Sequence, residues 1–310
     1  MESAGTIARM TNAAADKGLV LVSYGNRGVI ELPDGSQAGC QYRRSLGRPF
    51  CGDHVRVERV DEQTFVVTEI LPRLNEFARA DNRRRKQVIA ANLDQVLIVI
   101  ASEPAPSLDL VERYLVAILS LGIQPVIILN KAELLDSANT GDDGPLTHLD
   151  DYRKLGYPVF ITSCKGPPGI VTLQPVLDHK TSILVGQSGV GKSSLINAIM
   201  PDHDLQTGAL SRVTGKGTHT TTTTILYQLP SGGKLIDSPG VWEYGLWDMS
   251  QQDLANGFVE FEPCLGLCKF NDCHHATEPD CAVRAAVKTG EIRAWRYESY
   301  LRLLEQQSRT

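Results

Sequence analysis

No apolar run in this 310-residue chain approaches the roughly 20 residues that a membrane-spanning helix needs. That argues against a helical membrane protein. The N-terminal stretch MESAGTIARMTNAAADKG lacks the basic-then-apolar profile of a secretory signal. It is small and polar, and residues 1–17 are read as a disordered tail. An excess of positive charge is also missing, with 31 Lys+Arg against 36 Asp+Glu and a net of -5. A uniformly basic nucleic-acid binder is therefore excluded. No internal repeat is present. The length and the 42% apolar share suit two or three globular domains.

Charge is nevertheless unevenly placed. Residues 1–87 hold 14 basic against 11 acidic side chains, a net of +3, and the remainder nets -8. A mildly basic front on an acidic body suits one RNA-facing domain, although solvated charges also segregate by chance. Cysteine is sparse except at one place. Cys40, Cys51 and Cys164 are scattered, whereas Cys264, Cys268, Cys273 and Cys281 fall within eighteen residues. Without a secretory signal, such a cluster reads as metal ligands before it reads as disulfides.

Five short β-like runs, LVLVSY, RGVIEL, QAGCQY, DHVRVERV and TFVVTEI, occupy residues 19–70 and are separated by turn signals. Five strands in so short a span fit a small barrel. The OB-fold leads, because it is a five-stranded barrel that binds oligonucleotides. A barrel that only packs against its neighbours fits the same residues. Arg79, Arg83, Arg84, Arg85 and Lys86 follow. They form a basic connector that touches phosphates or is simply solvated. From Val96 onward continuous apolar strands (VLIVIA, PVIILN, VFITS, TSILVG) alternate with helical segments. That pattern belongs to a parallel sheet covered on both faces. Loop 136–148 is polar and is expected to be mobile. The C-terminal AVRAAVKTGEIRAWRYESYLRLLEQQ reads as helix, Gly290 stop, helix.

Gly186-Gln187-Ser188-Gly189-Val190-Gly191-Lys192-Ser193-Ser194 contains GxxxxGK[ST] between an apolar strand and a helix. Glycines let backbone N–H groups wrap phosphates. Lys192 adds charge for the outer phosphates, and Ser193 offers a hydroxyl to Mg²⁺. Asn130-Lys131-Ala132-Glu133 and Ser163-Cys164-Lys165 each leave the C-terminal end of an apolar strand, the usual ligand edge of such sheets. They resemble the guanine-reading pair NKxD and SAK. In that reading Asn130 contacts the base and Lys131 packs over it. The acid at 133 accepts from the base, and the Cys164 N–H meets the guanine carbonyl. Glu133 stands where Asp is usual, which loosens the expected geometry. Asp237-Ser238-Pro239-Gly240 resembles DxxG, with Asp237 reaching Mg²⁺ through water and Gly240 the terminal phosphate. The base readers precede the phosphate loop, so the motif order is circularly permuted.

A first switch must lie between the phosphate loop and Asp237. Thr218-His219-Thr220-Thr221-Thr222-Thr223-Thr224 occupies that interval. A threonine hydroxyl there, Thr221, would complete the Mg²⁺ shell only while the γ-phosphate is present. The end of this segment also reads as a β-prone strand. Val241 follows Gly240, where other GTPases place a water-orienting Gln. His219 is the nearest substitute. Because the switch segments run on into the C-terminal module, nucleotide state is expected to move that module. There Cys268, Cys273, His275 and Cys281, spaced C-x₄-C-x-H-x₅-C, supply a closed tetrahedral zinc set. Cys264 and His274 compete for a ligand position.

Together these motifs resemble the RsgA family, the bacterial small ribosomal subunit biogenesis GTPases, over about residues 18–305. The resemblance implies a multidomain α/β protein. Its parts would be an OB-like barrel at 18–75, a permuted GTPase domain at 76–245 and a zinc-binding helical module at 246–310. It implies slow GTP hydrolysis to GDP, stimulated by the small subunit and its rRNA, and release of another assembly factor. It implies a cytoplasmic protein without membrane contact, and a monomer is expected. By matching positions Lys192, His219 and Thr221 are catalytic. Ser193, Thr221 and Asp237 serve Mg²⁺, and Cys268, Cys273, His275 and Cys281 hold one zinc. Two rivals stand beside it: a permuted GTPase of the large subunit, and an RNA-binding factor with a vestigial nucleotide site.

Overall fold

A computed structural model describes residues 16–61, 64–80, 86–135, 145–201, 223–238 and 249–308. The first five strands are β1 (Asp16–Tyr24), β2 (Arg27–Glu31), β3 (Gln37–Tyr42), β4 (His54–Arg59) and β5 (Thr64–Ile70). β1 pairs with β2 on one side and β4 on the other, while β3 runs parallel to β5. The order β1-β2-β3-β5-β4 thus closes on itself, as the OB reading expects. Alternation sets the lining. Val55 and Val57 face inward between exposed His54, Arg56 and Glu58, because successive strand side chains point to opposite faces. Val20, Ile30, Cys40, Tyr42, Phe65 and Val67 complete the barrel core.

The outer face of β1 serves another core. Leu19, Leu21 and Val22 pack with the α/β domain. The basic connector is not a free linker. Its described ends, with Arg79 and Lys86, are the paired strands β6 (Glu76–Ala80) and β7 (Lys86–Ala91), while Arg83, Arg84 and Arg85 lie outside the described residues. It is tied to the barrel by a Cys51–Ala90 bridge and by Arg73, whose guanidinium meets fully buried Asp53 at 2.6 Å and Glu76 at 2.6 Å.

The α/β domain comprises β8 (Gln95–Ala101), α1 (Leu108–Ser120), β9 (Gln124–Asn130), α2 (Leu149–Lys154), β10 (Val159–Ile161), α3 (Gln174–Leu177), β11 (Thr181–Val185), α4 (Lys192–Ile199), β12 (Ile225–Gln228) and β13 (Lys234–Asp237). Every residue of β8 is buried, which is why it reads as an unbroken apolar run. The sheet order is β10-β9-β8-β11-β13-β12, parallel except for β12. From β8 the chain winds outward to β9 and β10. From β11 it winds the other way. The boundary between β8 and β11 is therefore the topological switch point, where open α/β sheets bind ligands at their carboxyl ends. The edge strand β12 is met by β1 at Val22–Ile225, and the Gln228 amide donates to Glu31 at 2.8 Å.

After 249 come α5 (Gln251–Asn256), α6 (Ala282–Thr289) and α7 (Ala294–Ser308). Ser250 and Asp253 form a capping box that starts α5. Gly290, with φ 84°, ends α6 as expected. Phe258, Phe261, Tyr300 and Val283 form the core here, and Val116 of α1 belongs to it. Beside it lies a buried ionic node. Fully buried Arg296 donates to Glu112 of α1 and to Glu260 at 2.5 Å, and Tyr152 donates to Glu112. Loop 136–148 is ordered at its end. Pro145–His148 forms a 3-10 turn whose His148 ring stacks on Trp295 at 4.0 Å. Residues 136–144 lie outside the described residues, as does the tail up to residue 15. No described helix is long and apolar enough to cross a membrane.

Candidate nucleotide site and metal centre

The phosphate loop leaves β11 at the switch point, and its glycines are sterically required. A Cβ on Gly186 (φ 139°) would come within 2.1 Å of the Val99 carbonyl oxygen, and one on Gly191 (φ 94°) within 2.4 Å of Asn130 Nδ2. The loop can therefore nestle against β8 and the base reader only without side chains there. Gly191 begins α4, so Lys192, Ser193 and Ser194 form its first turn. Lys192 Nζ donates to the carbonyls of Gly186, at 2.8 Å, and Gln187. Burial holds its ammonium down to about 8, against the opposing pull of the Asp237 carboxylate. Gln187 is half-buried, Val190 is buried, and Ser188, Gly189, Ser193 and Ser194 face outward.

The two candidate base-reading loops are bound to each other and to the candidate phosphate loop. Asn130, almost fully buried, donates from Nδ2 to Val190 at 3.0 Å and accepts from Thr162 Oγ1 at 3.1 Å. Ala132 donates its N–H to the Thr162 carbonyl at 3.0 Å. Lys131 spans outward to the Glu103 carbonyl at 2.7 Å. Ser163 Oγ donates to Glu133 at 2.6 Å and accepts from the N–H groups of Lys165 and Gly166, each at 3.0 Å. That Ser163 bond holds the Glu133 carboxyl below the usual range. The longer acid is thus anchored rather than loose. Burial, then the Glu133 charge, pushes the exposed Cys164 thiol up. Asp237 ends β13 beside β11, and Thr224 and Ser238 hydroxyls lie 2.9 Å apart. The predicted His219, Thr221 and Gly240, with Val241, lie outside the described residues.

Ligand atoms of Cys268, Cys273, His275 and Cys281 all lie within 4.8 Å of one another. Cys268 and Cys281 Sγ stand 3.5 and 3.4 Å from His275 Nδ1 and 3.9 Å apart. A tetrahedral ion with thiolate bonds of ~2.3 Å and an imidazole bond of ~2.0 Å imposes edges of about 3.5–3.8 Å. The set therefore fits a structural metal ion with no coordination position left open. Cys264 and His274 are not in that group. Ala282 N–H donates to Cys268 Sγ at 3.4 Å, Tyr297 holds the His275 carbonyl at 2.8 Å, and Cys281 caps α6. Burial keeps His275 on the neutral side, the form that ligates.

A sequence model described as RsgA GTPase matches residues 70–247. The chain belongs to the RsgA GTPase family. Among relatives, the small ribosomal subunit biogenesis GTPase RsgA of Hahella chejuensis is 45% identical over 297 residues, covering 94% of this chain and 85% of the relative. That of Chromohalobacter salexigens is 47% identical over 266 residues, covering 86% and 77%. The crystal structure of YjeQ from Thermotoga maritima superposes with a TM-score of 0.75 at 29% identity, covering 94% of this chain and 98% of that one. YloQ, titled a circularly permuted GTPase, gives 0.74 at 28%, covering 97% and 98%. Membership makes this chain a GTP-hydrolysing enzyme. The permuted order is that of its structural neighbours. Sequence reasoning missed two features that position this apparatus. One is the Thr162–Asn130 clamp, and the other is the Glu112–Arg296–Glu260 node. The signal for the second was present: Glu112 interrupts the apolar face of the helix LDLVERYLVAILS.

Proposed function

We propose that this enzyme acts in late maturation of the small ribosomal subunit. The carrying observation is the extent of likeness to small ribosomal subunit biogenesis GTPases, which spans 94% of the chain, including both modules that flank the GTPase domain. In this reading 18–75 is the RNA-facing barrel, 76–245 the GTPase domain and 246–310 the zinc module. Asn130 and the anchored Glu133 read guanine, Lys131 and Lys165 pack about it, and the Cys164 N–H meets its carbonyl. The loop from Gly186 to Ser194 wraps the phosphates, with Lys192 turning from loop carbonyls to phosphate oxygens. Ser193, Thr221 and Asp237 hold Mg²⁺, which when bound offsets charge on the β- and γ-phosphates. His219 orients the attacking water, since Val241 has no group to do so. Gly240 senses the γ-phosphate.

The four-ligand cluster holds zinc, because three thiolates and an imidazole at tetrahedral spacing are its preferred closed set. The protein works as a cytoplasmic monomer on the subunit rRNA, hydrolyses GTP to GDP and phosphate, and releases another assembly factor. The test is GTP turnover with small subunits, with large subunits and alone. Stimulation by the small subunit only supports the reading. Equal stimulation by both, or none, refutes it.

A further inference from the structure

A cavity of about 720 Å³ lies where the barrel, the β6–β7 hairpin and the roots of the switch segments meet. Its size falls in the ~300–1,000 Å³ range of ligand sites. Arg48 enters from the barrel, and Arg79 and Lys86 from the hairpin. Among the described lining residues these are three cations, and none is acidic. The hydroxyls of Ser23, Thr224 and Ser238 also line it; Ser23 donates to the Pro49 carbonyl, and the Thr224–Ser238 pair, bonded to each other, keeps one proton to donate. Such a lining selects an anion.

The cations are held in place by their neighbours. Arg48 donates to the Ser23 carbonyl at 3.2 Å, Arg79 to Gln87 at 3.1 Å, and Lys86 to Glu76 at 2.7 Å. A guanidinium has five donors and an ammonium three, so these bonds orient the Arg48 and Lys86 heads and leave each with donors for a phosphate. Half-buried Tyr24 on the barrel side offers a ring against which a base can stack. Cations beside an aromatic, continuous with a barrel, fit an RNA strand better than a lone phosphate.

The far wall gives the cavity its consequence. Thr224 is the last residue of the candidate switch segment, Ser238 directly follows Asp237, and their hydroxyls are 2.9 Å apart. We infer that this cavity docks a backbone phosphate of an unpaired RNA segment, and that its occupancy is felt at the roots of both switch segments. The inference rests on the RNA-facing reading above and adds a site and a route to it. RNA bound here and GTP bound at the phosphate loop must strengthen each other by the same factor.

The test uses the full-length zinc-bound protein, the paired variant Arg79→Ala with Lys86→Ala, and a milder pair with Gln at both positions. A control pair, Arg43→Ala with Arg44→Ala, alters exposed barrel cations outside the cavity. Thermal melting checks folding. Fluorescence anisotropy of a labelled single-stranded decauridine is followed from 50 to 200 mM salt. Losing two phosphate contacts should shrink the slope of log affinity against log salt by about 1.4. The RNA-induced gain in affinity for a non-hydrolysable GTP analogue should vanish in the cavity pairs and persist in the control pair. An unchanged slope, or coupling retained in folded cavity variants, overturns the site. So does a second bound guanine nucleotide that the cavity pairs lose, since the ligand would then be free nucleotide. Small-subunit stimulation of the parent is measured alongside. Its absence counts against the proposed function, while the decauridine arm decides the cavity.

Discussion

Replacing Arg296 by methionine keeps much of the side-chain volume and removes the charge. Arg296 is fully buried and donates to Glu260 at 2.5 and 3.1 Å and to fully buried Glu112. The variant strands two carboxylates between the α/β domain and the C-terminal module. Breaking a buried pair from one side costs about 3–5 kcal/mol. With a urea slope of about 3 kcal/mol per molar, the tryptophan-monitored midpoint should fall by roughly 1–1.7 M. Adding Glu112→Gln and Glu260→Gln removes the stranded charges and should recover at least half. The pH dependence has a definite sign. Burial raises the Glu112 carboxyl above its ordinary value, and Arg296 is the main opposing influence. Without Arg296 that carboxyl rises further, and a raised acid loses stability as pH increases through its folded value. The deficit of the variant should therefore be larger at pH 8 than at pH 6. A midpoint shift under about 0.3 M, or a deficit that narrows with rising pH, would refute the reasoning.

Four further outcomes are expected. Because Lys192 sits at about 8 before it meets phosphate, GDP binding at pH 8 should take up about half a proton, and almost none at pH 6.5; calorimetry in buffers of different ionisation enthalpy reads this directly. Ser163→Ala frees the Glu133 carboxylate from its 2.6 Å anchor and should cut the preference for GDP over IDP by about tenfold, the scale of one hydrogen bond to a charged group. Cys273→Ala should lose near-stoichiometric zinc by elemental analysis and unfold the C-terminal module, since metal binding there is folding energy. His219→Ala should leave GTP affinity intact and lower subunit-stimulated turnover by about 10²-fold; unchanged turnover would assign the histidine a structural role.

The motifs were legible because each is local in sequence and has one physical purpose. The barrel runs, the phosphate loop, the base readers and the metal ligands can all be read from short spacings. So could the strand ends that carry them, since β8, β9 and β11 are unbroken apolar runs. What could not be read is long-range pairing of polar groups. Asp53 with Arg73, Thr162 with Asn130, and Glu112 with Arg296 are separated by 20, 32 and 184 positions. A charged residue on a buried face announces that it has a partner but not which one. The basic connector was ambiguous for the same reason. Its attachment to the barrel runs through Asp53 and Cys51, both of which lie outside it.

Permutation changes which module can feel the nucleotide first. Reading the chain alone suggested the C-terminal module, because the switch segments lead into it. The contacts point to the barrel as well. Its β1 pairs with the first residue of β12, and Glu31 accepts from Gln228 at the other end of that strand. β12 begins at Ile225, close after residues 202–222, which lie outside the described residues and include the candidate switch positions His219 and Thr221. The C-terminal module is held differently. Val116 of α1 lies within its core, and Arg296 ties it to Glu112 of the same helix. α1 is rooted between β8 and β9, and β9 ends at Asn130, a candidate base reader. A module so fixed follows the GTPase body. The barrel, joined to the edge strand that follows the candidate switch, is the part whose orientation the γ-phosphate is expected to bias under the proposed function. Any such bias is reciprocal: if GTP favours one barrel orientation on RNA, RNA in that orientation favours GTP by the same factor, typically about 1–3 kcal/mol.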